Sequence, residues 1–445
     1  MRALDSRVGI TRYGSPAAPS SGVGVTRRGT LLVISQVYVP DPAAVGQQVA
    51  DAAAAMARRG WRVVVLTSAR GYDDPSVHYP RRELRDGVEV VRLPLSSFGK
   101  GSIAVRLLAQ AIFLAQALVR GLLLRGLERV LVSTSPPAAP LVGWAVSVAR
   151  GVPLTYWVMD LNPDQIVAMG KLAPRSLLAR AFDAMNRLAL RRARDVVVLD
   201  RFMAERVNRK LDVSRKLTVL PPWPHQDHLA RIPDEENAFR RRHGLDGKFV
   251  VMYSGNHSPA NPLTTLVEAA KRLDDDGRFA FVFVGGGQGK REAEAAAAGH
   301  GNVHVLPYQP LETLGQSLSA ADVHVASIGD GMVGIVHPCK IYGAMAVGRP
   351  LLTFGPARCH LADLVNRHRL GRHVAHGDVE GAVEAIRALG SMSPQEARAT
   401  GERGQAAIAA ELGQPALLGA FCDVLEGEWV EGAEIEVKEH VAEAR

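Results

Sequence analysis

Short apolar runs alternate with amphipathic segments along most of the chain. The first apolar run, TLLVISQ at residues 30–36, is followed by a polar turn and by the alanine-rich segment VADAAAAMARR, which ends at Gly60. Apolar runs of this length predict buried strands, and apolar residues at helical spacing predict helices. The same order recurs through RVVVLTS, RVLVSTS, PLTYWVMD and DVVVLD. Strands that alternate with helices predict an α/β fold with a parallel, doubly wound sheet.

The pattern restarts in the second half of the chain. After a proline-rich stretch and the charged helix DEENAFRRRHG, strands are predicted at KFVVMYSGN, FAFVFVGGG, VHVLPY, DVHVAS and PLLTFG. A chain of 445 residues is also too long for one ordinary core. Two Rossmann-like lobes are therefore predicted, with a hinge near residues 221–234. Because ligands bind at the carboxyl ends of parallel strands, we expect the lobes to face each other across a cleft.

The predicted organisation has four parts. Residues 30–222 form an N-terminal lobe and residues 235–420 a C-terminal lobe. Residues 1–29 are rich in Gly, Ser, Pro and Arg and have no apolar stretch of the kind a signal peptide needs, so they are expected to be a disordered arm. Residues 421–445 are expected to be a charged tail.

The net charge of the chain suits several classes of anionic partner and does not choose among them. The formal charge is +8 and the pI is near 9.6, which suits a nucleic acid, an anionic membrane surface or a phosphorylated substrate. The three cysteines, Cys339, Cys359 and Cys422, have no metal-ligand spacing. Neither a disulfide framework nor a zinc site is indicated, and a reduced cytoplasmic protein is expected.

Three glycine-containing turns of the second lobe are suited to binding an anion. The loop DGMVGIVHPCK runs into a helix whose first turn contains Lys340, and FVGGGQGK places Lys290 after a similar turn. The third turn, YSGNHSPANP, brings Gly255, Asn256 and His257 to a strand end. Helix N-termini and close glycine backbone bind phosphate groups. Each turn taken alone could also be a tight connection or an ordinary helix cap.

A nicotinamide-dinucleotide site is disfavoured. Its fingerprint requires an acidic residue at the end of the strand after the glycine turn, whereas here that strand ends in Pro307 and Tyr308.

These turns resemble those of a known family. PCKIYGAMAVGRP is similar to the PSKLYGxxAxGRP of family-4 retaining glycosyltransferases of GT-B fold, in the branch that transfers amino sugars in O-antigen and exopolysaccharide assembly. YSGNHSPANPLTTLVEA resembles that branch's YSGNxGxxxGLxTLLEA, VGGGQGK its phosphate-side turn, and LPYQPLETLGQSLSAADVHVAS its base-side segment. With VMDLNPD and LPPWPHQD as further landmarks, the resemblance extends over residues 31–390 in family order.

The resemblance implies how the donor is held. The side chain of Lys340 would contact the donor diphosphate, together with the backbone of Gly334, Ile335 and Val336. The nucleobase would face Tyr308, Gln309 and Pro310. In the N-terminal lobe, Gly46 and Gln47 would approach the donor sugar or phosphate. We also expect Gly255, Asn256, His257 and Lys290 to contribute to donor binding.

Two residues are expected to act in catalysis. The resemblance of VMDLNPD to the branch's RDLWPE implies that Asp160 contacts the transferred sugar or an acceptor hydroxyl. A carboxylate at a strand end also suits proton transfer, although it could simply cap a turn. Lys340 would neutralise the leaving diphosphate. The chain departs from the wider family at Gly343, where a glutamate is usual, and at Asn256 and Asn261, where a basic pair often stands.

The predicted reaction is transfer of a sugar, such as an N-acetylated hexosamine, from a nucleotide-diphosphate donor with retention. The donor is expected to be a UDP-sugar and the acceptor a glycan or a polyprenyl-diphosphate-linked glycan. No cofactor or metal ion is expected, because no Asp-x-Asp pair stands at a strand end of the C-terminal lobe. Two other classes remain open: a sugar-nucleotide epimerase of GT-B fold, and a catalytically weak, membrane-associated scaffold that lacks the usual glutamates.

Charge and amphipathicity predict contact with the anionic inner face of a membrane rather than with nucleic acid. Residues 30–200 contain 21 Lys or Arg and 13 Asp or Glu. At helical spacing, one narrow stripe is formed by Arg180, Arg187, Arg191 and Arg194. The apolar segment IAVRLLAQAIFLAQALVRGLLL is interrupted by Arg and Gln, so a core or interfacial helix is predicted there rather than a membrane span.

Overall fold

The computed structural model describes residues 28–41, 43–71, 76–94, 96, 103–225 and 231–428. The predicted N-terminal arm, apart from its last two residues, and the part of the predicted tail after Glu428 lie outside these ranges.

The N-terminal lobe is built on an eight-stranded sheet. Its strands are β1 (Thr30–Ile34), β2 (Arg62–Ser68), β3 (Arg82–Arg85), β4 (Val88–Leu93), β5 (Leu127–Ser133), β6 (Leu154–Trp157), β7 (Asp195–Val198) and β8 (Leu217–Val219). The order across the sheet is β3-β4-β2-β1-β5-β6-β7-β8, and only the β3–β4 hairpin is antiparallel. The helices are α1 (Ala44–Arg58), α2 (Ile103–Leu123), α3 (Ala139–Arg150), α4 (Asp164–Ala168), α5 (Leu177–Arg192) and α6 (Arg201–Lys210).

The C-terminal lobe has a six-stranded, fully parallel sheet. Its strands are β9 (Phe249–Ser254), β10 (Phe279–Val284), β11 (Val303–Leu306), β12 (Val323–Ser327), β13 (Leu351–Phe354) and β14 (Gly371–Val374), in the order β11-β10-β9-β12-β13-β14. The helices are α7 (Ala238–Arg242), α8 (Thr264–Arg272), α9 (Lys290–Ala297), α10 (Leu314–Ser319), α11 (Lys340–Ala346), α12 (His360–His368), α13 (Val379–Gly390), α14 (Pro394–Ala407) and α15 (Gln414–Glu426). The prediction of two Rossmann-like lobes is confirmed.

The central strands are apolar on both faces because helices cover both faces of each sheet. All six positions of β10 are buried. Phe279, Phe281 and Phe283 belong to one apolar cluster, whereas Ala280 and Val282 belong to another. Alternate residues of a strand point to opposite faces, so one continuous apolar run supplies the core on each side of the sheet.

The last two helices connect the C-terminal lobe back to the N-terminal lobe. α14 packs closely on the C-terminal lobe, where a side chain at Gly401 would overlap the carbonyl of Gly348. After a π-helical turn at Ile408–Leu412, α15 packs on the N-terminal lobe and buries Phe421 against Trp157, with 4.1 Å between ring centroids. The predicted start of the tail at residue 421 therefore falls inside a packed helix.

The helical stretch Pro394–Glu426 would be long and apolar enough to cross a membrane by length and composition alone. Half of its most apolar window is buried within the protein, as in the core helix of a folded domain.

The chain passes between the lobes twice, first near Trp223 and again near Gln414, and these two passages lie side by side. Asp51 of α1 accepts a hydrogen bond from the indole of Trp223, in the first passage, at 2.9 Å. The same carboxylate oxygen accepts a second bond from the side-chain amide of Gln414, at the start of α15, at 2.8 Å. One N-terminal side chain thus contacts both passages.

Candidate functional site

The loop at residues 330–337, called here the glycine loop, joins the two lobes. The Ile335 carbonyl accepts a hydrogen bond from the Leu161 amide at 2.9 Å, and the Val333 carbonyl accepts one from the Arg206 guanidinium at 2.6 Å. Gly334 has a φ of 70°, and a side chain there would overlap the backbone carbonyl of Phe202. Gly334 therefore allows the loop to approach the backbone of the other lobe, a role that the sequence did not reveal.

Two predicted phosphate donors of this loop are already engaged. The amides of Ile335 and Val336 both donate to the Met332 carbonyl, at 2.9 and 3.3 Å. The Ile335 side chain is buried and belongs to the core cluster of the N-terminal lobe. In this structure these two amides close a turn within the loop, and their predicted contact with the donor diphosphate stays a prediction.

Lys340 starts α11 and reaches the turn after β9. Its ammonium donates to the Asn256 carbonyl at 2.7 Å and to the Tyr253 hydroxyl, and lies 4.2 Å from the centroid of the Tyr253 ring. A side chain at Gly255 would come within 2.5 Å of the lysine Cε. The structure thus brings Lys340, Gly255 and Asn256 together, with Gly255 making room for the lysine.

The surroundings of Lys340 change its protonation. Burial lowers the pKa of Lys340 to about 7, because a partly desolvated ammonium loses the hydration that stabilises its charge. The lysine can therefore change charge near neutral pH, which an ordinary solvated lysine cannot.

Glycines join the ends of three adjacent strands into one surface. A side chain at Gly285 would overlap the Gly255 carbonyl, and one at Gly286 would come within 3.1 Å of the Tyr308 ring. Tyr308 follows β11 and remains 59% exposed. Next to it, the side-chain amide of Gln309 donates to the Pro307 carbonyl at 2.9 Å, and Pro310 is exposed. An accessible aromatic ring beside a glycine surface suits the stacking of a planar ring.

His257 and Lys290 have local roles in this structure. His257 is buried in the turn, with its Nδ1 3.3 Å from the Gly286 carbonyl, and burial lowers its pKa, which favours the neutral ring. The Lys290 ammonium lies 3.5 Å from Glu294, one turn along α9. The contribution of His257 and Lys290 to donor binding stays a prediction.

Asp160 lies in the segment that follows β6. Its backbone amide donates to the Thr134 hydroxyl at 3.0 Å, and the next residue, Leu161, contacts the glycine loop. Its carboxylate makes no hydrogen bond or ion pair with another residue of the described ranges. Burial raises the pKa of Asp160 to about 6.

Asp160 of the N-terminal lobe and Lys340 of the C-terminal lobe both act on the pKa of Cys339. Surrounding protein atoms desolvate the Cys339 thiol and raise its pKa, although part of the residue remains exposed. The Lys340 ammonium lowers that pKa and the Asp160 carboxylate raises it, which requires both charges to be near the thiol. Among the described residues no hydrogen bond or ion pair joins the Asp160 carboxylate to the Lys340 ammonium, and their catalytic roles stay a prediction.

Gly46 and Gln47 lie in the first turn of α1, beyond the carboxyl end of β1. A side chain at Gly46 would come within 3.1 Å of the Tyr38 amide nitrogen. The glycine therefore allows the start of α1 to pack on the preceding loop. The neighbouring Gln48 extends this contact to the hinge by donating to the Trp223 carbonyl at 2.7 Å.

A buried chain of hydrogen bonds connects the lobes next to the glycine loop. Asp200 caps α6 through the Met203 amide, and its other carboxylate oxygen lies 2.8 Å from the Nδ1 of His337. The other ring nitrogen of His337 lies 2.8 Å from the Tyr342 hydroxyl, which is 3.1 Å from His360. Sequence inspection missed this chain because Asp200 and His337 are 137 positions apart.

The same cluster could geometrically hold a metal ion. The ligand atoms of Asp200, His337 and His360 all lie within 4.8 Å of one another. Burial alone would raise the pKa of Asp200, but its interaction with His337 outweighs this and the pKa is lowered. Burial lowers the pKa of His360 to about 3, so this ring is neutral. The hydrogen bonds already occupy these atoms, and they fix the glycine loop against the N-terminal lobe.

Both halves of the chain match known families. Residues 43–223 match the Glycosyl transferase 4-like domain, and residues 248–391 match the Glycosyl transferases group 1. The chain is 23% identical over 243 residues to the probable glycosyltransferase WbjE of Pseudomonas aeruginosa, covering 54% of this chain and 61% of that protein. It is 25% identical over 213 residues to the putative colanic acid biosynthesis glycosyl transferase WcaI of Escherichia coli (strain K12), covering 46% and 52%. The matches therefore span little more than half the length of these relatives.

Solved structures share the fold over most of the chain. Sucrose-phosphate synthase from Thermosynechococcus elongatus superposes with a TM-score of 0.69 and 19% identity, covering 90% of this chain and 99% of that one. HepE of Anabaena, solved in complex with UDP-glucose, superposes with a TM-score of 0.65 and 16% identity, covering 90% and 100%.

Proposed function

This chain is a glycosyltransferase of GT-B fold, and we propose that it transfers a sugar, with retention, from a UDP-sugar in the C-terminal lobe to an acceptor in the N-terminal lobe. In this proposal, the transferred sugar is an N-acetylated hexosamine. The acceptor is a glycan or a polyprenyl-diphosphate-linked glycan. The relative named for colanic acid biosynthesis and the neighbour solved with UDP-glucose support the acceptor class and the donor class, respectively.

The observation that carries the proposal is the position of Lys340 at the start of α11, where its ammonium contacts the Asn256 carbonyl and the Tyr253 hydroxyl at a strand end of the C-terminal lobe. A retaining or inverting transfer releases a diphosphate that gains negative charge as the sugar bond breaks. The ammonium of a lysine at the start of a helix stabilises that charge, and the free backbone N–H groups of the helix N-terminus add to this stabilisation. Donor binding would raise the pKa of Lys340 from about 7, so the lysine would take up a proton with the diphosphate.

Asp160 is assigned to the reacting sugar or the acceptor hydroxyl. Asp160 belongs to the N-terminal lobe, and its raised pKa of about 6 suits a group that accepts a proton or a strong hydrogen bond near neutral pH. Tyr308 is assigned to the nucleobase, because its exposed ring lies beside Gly286 on the strand-end surface that also contains Gly255.

A panel of nucleotide sugars tests the function directly. Purified protein is incubated with each donor, with and without membrane extract as the source of acceptor, and release of nucleoside diphosphate is measured. We expect acceptor-dependent release that is greatest with a UDP-N-acetylhexosamine. Conversion of the donor to another sugar nucleotide without acceptor would instead indicate an epimerase. Absence of any donor binding by calorimetry would indicate a scaffold.

The pH dependence of kcat/KM should be a narrow bell between about pH 6 and about pH 7. The rate should rise as Asp160 ionises through its pKa of about 6 and fall as the unliganded Lys340 loses its proton through its pKa of about 7. Steady-state assays from pH 5 to 9 measure both limbs. The alkaline limb should be absent in Lys340→Arg and the acid limb in Asp160→Asn. A flat profile in the parent enzyme would contradict both assignments.

We also propose that the N-terminal lobe docks on the cytoplasmic, anionic face of a membrane. The four arginines of the predicted stripe are all exposed in the structure: Arg180, Arg187, Arg191 and Arg194. Arg187 is partly neutralised by Asp183 at 2.7 Å. Salt screens such charges beyond about 10 Å at 0.1 M, so co-sedimentation with phosphatidylglycerol vesicles should weaken as salt rises. Equal binding to neutral phosphatidylcholine vesicles would argue against an electrostatic interaction.

A further inference from the structure

A groove of about 830 Å³ lies on the N-terminal lobe, between the C-terminal half of α2 and the face of β2, β4 and β3. The residues beneath it are apolar and buried, and include Leu32, Val64, Leu66 and Val90. None of the residues assigned to the transfer reaction lines it. Its volume lies within the range of pockets that take small apolar ligands, roughly 300–1,000 Å³. The proposed reaction leaves this groove without a role.

The mouth of the groove is continuous with an exposed apolar row on α2. Val119 and Leu123 line the groove and are 55% and 74% exposed. Leu108, which is 57% exposed, precedes Val119 by eleven residues, or close to three helical turns, and so lies on the same face of the helix. Leu84 of β3 is exposed on the opposite wall. A row of this kind favours contact with an apolar phase rather than with water.

The rim of the groove carries excess positive charge. Arg82, Arg120 and Arg125 are exposed and line it, and none of their guanidinium groups has a hydrogen bond or ion pair to another described residue. The other charged groups at the rim are paired. Arg62 binds Glu89 at 2.7 Å, and Glu83 binds Arg92 at 2.8 Å. The rim therefore presents three uncompensated guanidinium groups.

We propose that this groove binds an acyl chain of an anionic phospholipid, with the lipid phosphate at the arginine rim. The apolar residues beneath the groove match the chain, the arginines match the phosphate, and the exposed row of α2 would enter the surrounding bilayer. A second copy of this chain fits less well, because a symmetric contact would place the same arginines against each other. The inference does not depend on the identity of the sugar donor.

Uptake of the fluorescent fatty acid cis-parinaric acid by the full-length protein tests the groove. We expect saturable uptake, and displacement by short-chain phosphatidylglycerol at lower concentration than by short-chain phosphatidylcholine. Val119→Trp should fill the groove and weaken uptake at least tenfold. Leu107→Trp is the matched control, since Leu107 is 57% exposed on the same helix but does not line the groove, and it should bind like the parent.

Two further variants separate loss of the groove from loss of the fold. Leu84→Glu places a negative charge at the opposite wall and should also weaken uptake. Arg120→Gln with Arg125→Gln should remove the preference for phosphatidylglycerol while leaving uptake of the chain. Thermal unfolding monitors the fold of each variant, and nucleoside diphosphate release with a soluble acceptor should be unchanged in all of them. That assay keeps failure of the groove distinct from failure of the proposed transfer reaction.

Several results would overturn the proposal. Parent-like uptake by Val119→Trp would exclude the groove as the binding site, and equal loss in Leu107→Trp would indicate adsorption to the helix surface. Dimers in ultracentrifugation that Val119→Trp dissociates, without uptake of the probe, would make a second copy the occupant.

Discussion

Replacing Lys340 by alanine is expected to lower kcat/KM for the nucleotide sugar by about one to two decades. A charge-assisted hydrogen bond contributes roughly 1.5 to 3 kcal/mol, and about 1.4 kcal/mol corresponds to one decade. The loss should be larger in kcat than in donor affinity, because the diphosphate gains charge as the sugar bond breaks. Steady-state kinetics combined with calorimetric donor binding measure the two effects separately.

Lys271→Ala is the control for this prediction. Lys271 also lies in the C-terminal lobe, but it pairs with Glu268 of its own helix at 2.7 Å and is not assigned to donor binding. We expect Lys271→Ala to change kcat/KM by less than about threefold, as for removal of a surface ion pair. If Lys340→Ala bound and turned over the donor like the parent enzyme, Lys340 would be a structural lysine that packs on Tyr253.

Asp160→Asn is expected to lower kcat by about two decades or more while donor affinity changes little. The amide keeps the shape of the carboxylate but cannot accept a proton, and proton transfer by a positioned side chain contributes roughly 10²–10⁴ in rate. The contact with Thr134 should survive, because it uses the backbone amide of Asp160. Single-turnover kinetics and calorimetric donor binding measure the two quantities.

Asp164→Asn is the corresponding control, since this nearby carboxylate binds Lys210 at 2.6 Å and is not assigned to the reaction. Its effect on kcat should be small. Weaker donor binding with normal turnover in Asp160→Asn would make Asp160 a structural cap of its turn.

Much of the fold followed from local sequence patterns. β2 has the bounds of the predicted run RVVVLTS, and every predicted strand of the C-terminal lobe is present, because apolar runs buried on both faces give a strong signal. The hairpin strands β3 and β4 and the edge strands β8 and β14 were missed; in β3, for example, RELR has three charged residues at the edge of the sheet. The packing of residues 421–426 was missed because their apolar partners, such as Trp157, are distant in sequence.

The candidate site likewise contains contacts that the sequence could predict and contacts that it could not. Lys340, Gly255 and Asn256 could be grouped from the sequence because strand ends of one parallel sheet converge. The sequence could not show that Gly334 meets Phe202, or that His337 meets Asp200, because these contacts exist only once the lobes have docked. Nor could it show that Ile335 and Val336 use their amides inside the loop, since a three-residue turn leaves no distinct side-chain pattern.

The two passages that meet at Asp51 have a mechanical consequence. Trp223 belongs to one passage and Gln414 to the other, and both are bonded to the same carboxylate oxygen. Two adjacent connections define an axis, so relative motion of the lobes reduces largely to one rotation about it. When a bound donor draws the lobes together, it then restricts this one rotation rather than the six relative motions that two unconnected lobes would have. The entropy lost on closure is correspondingly small, and more of the intrinsic binding energy is available to stabilise the transition state.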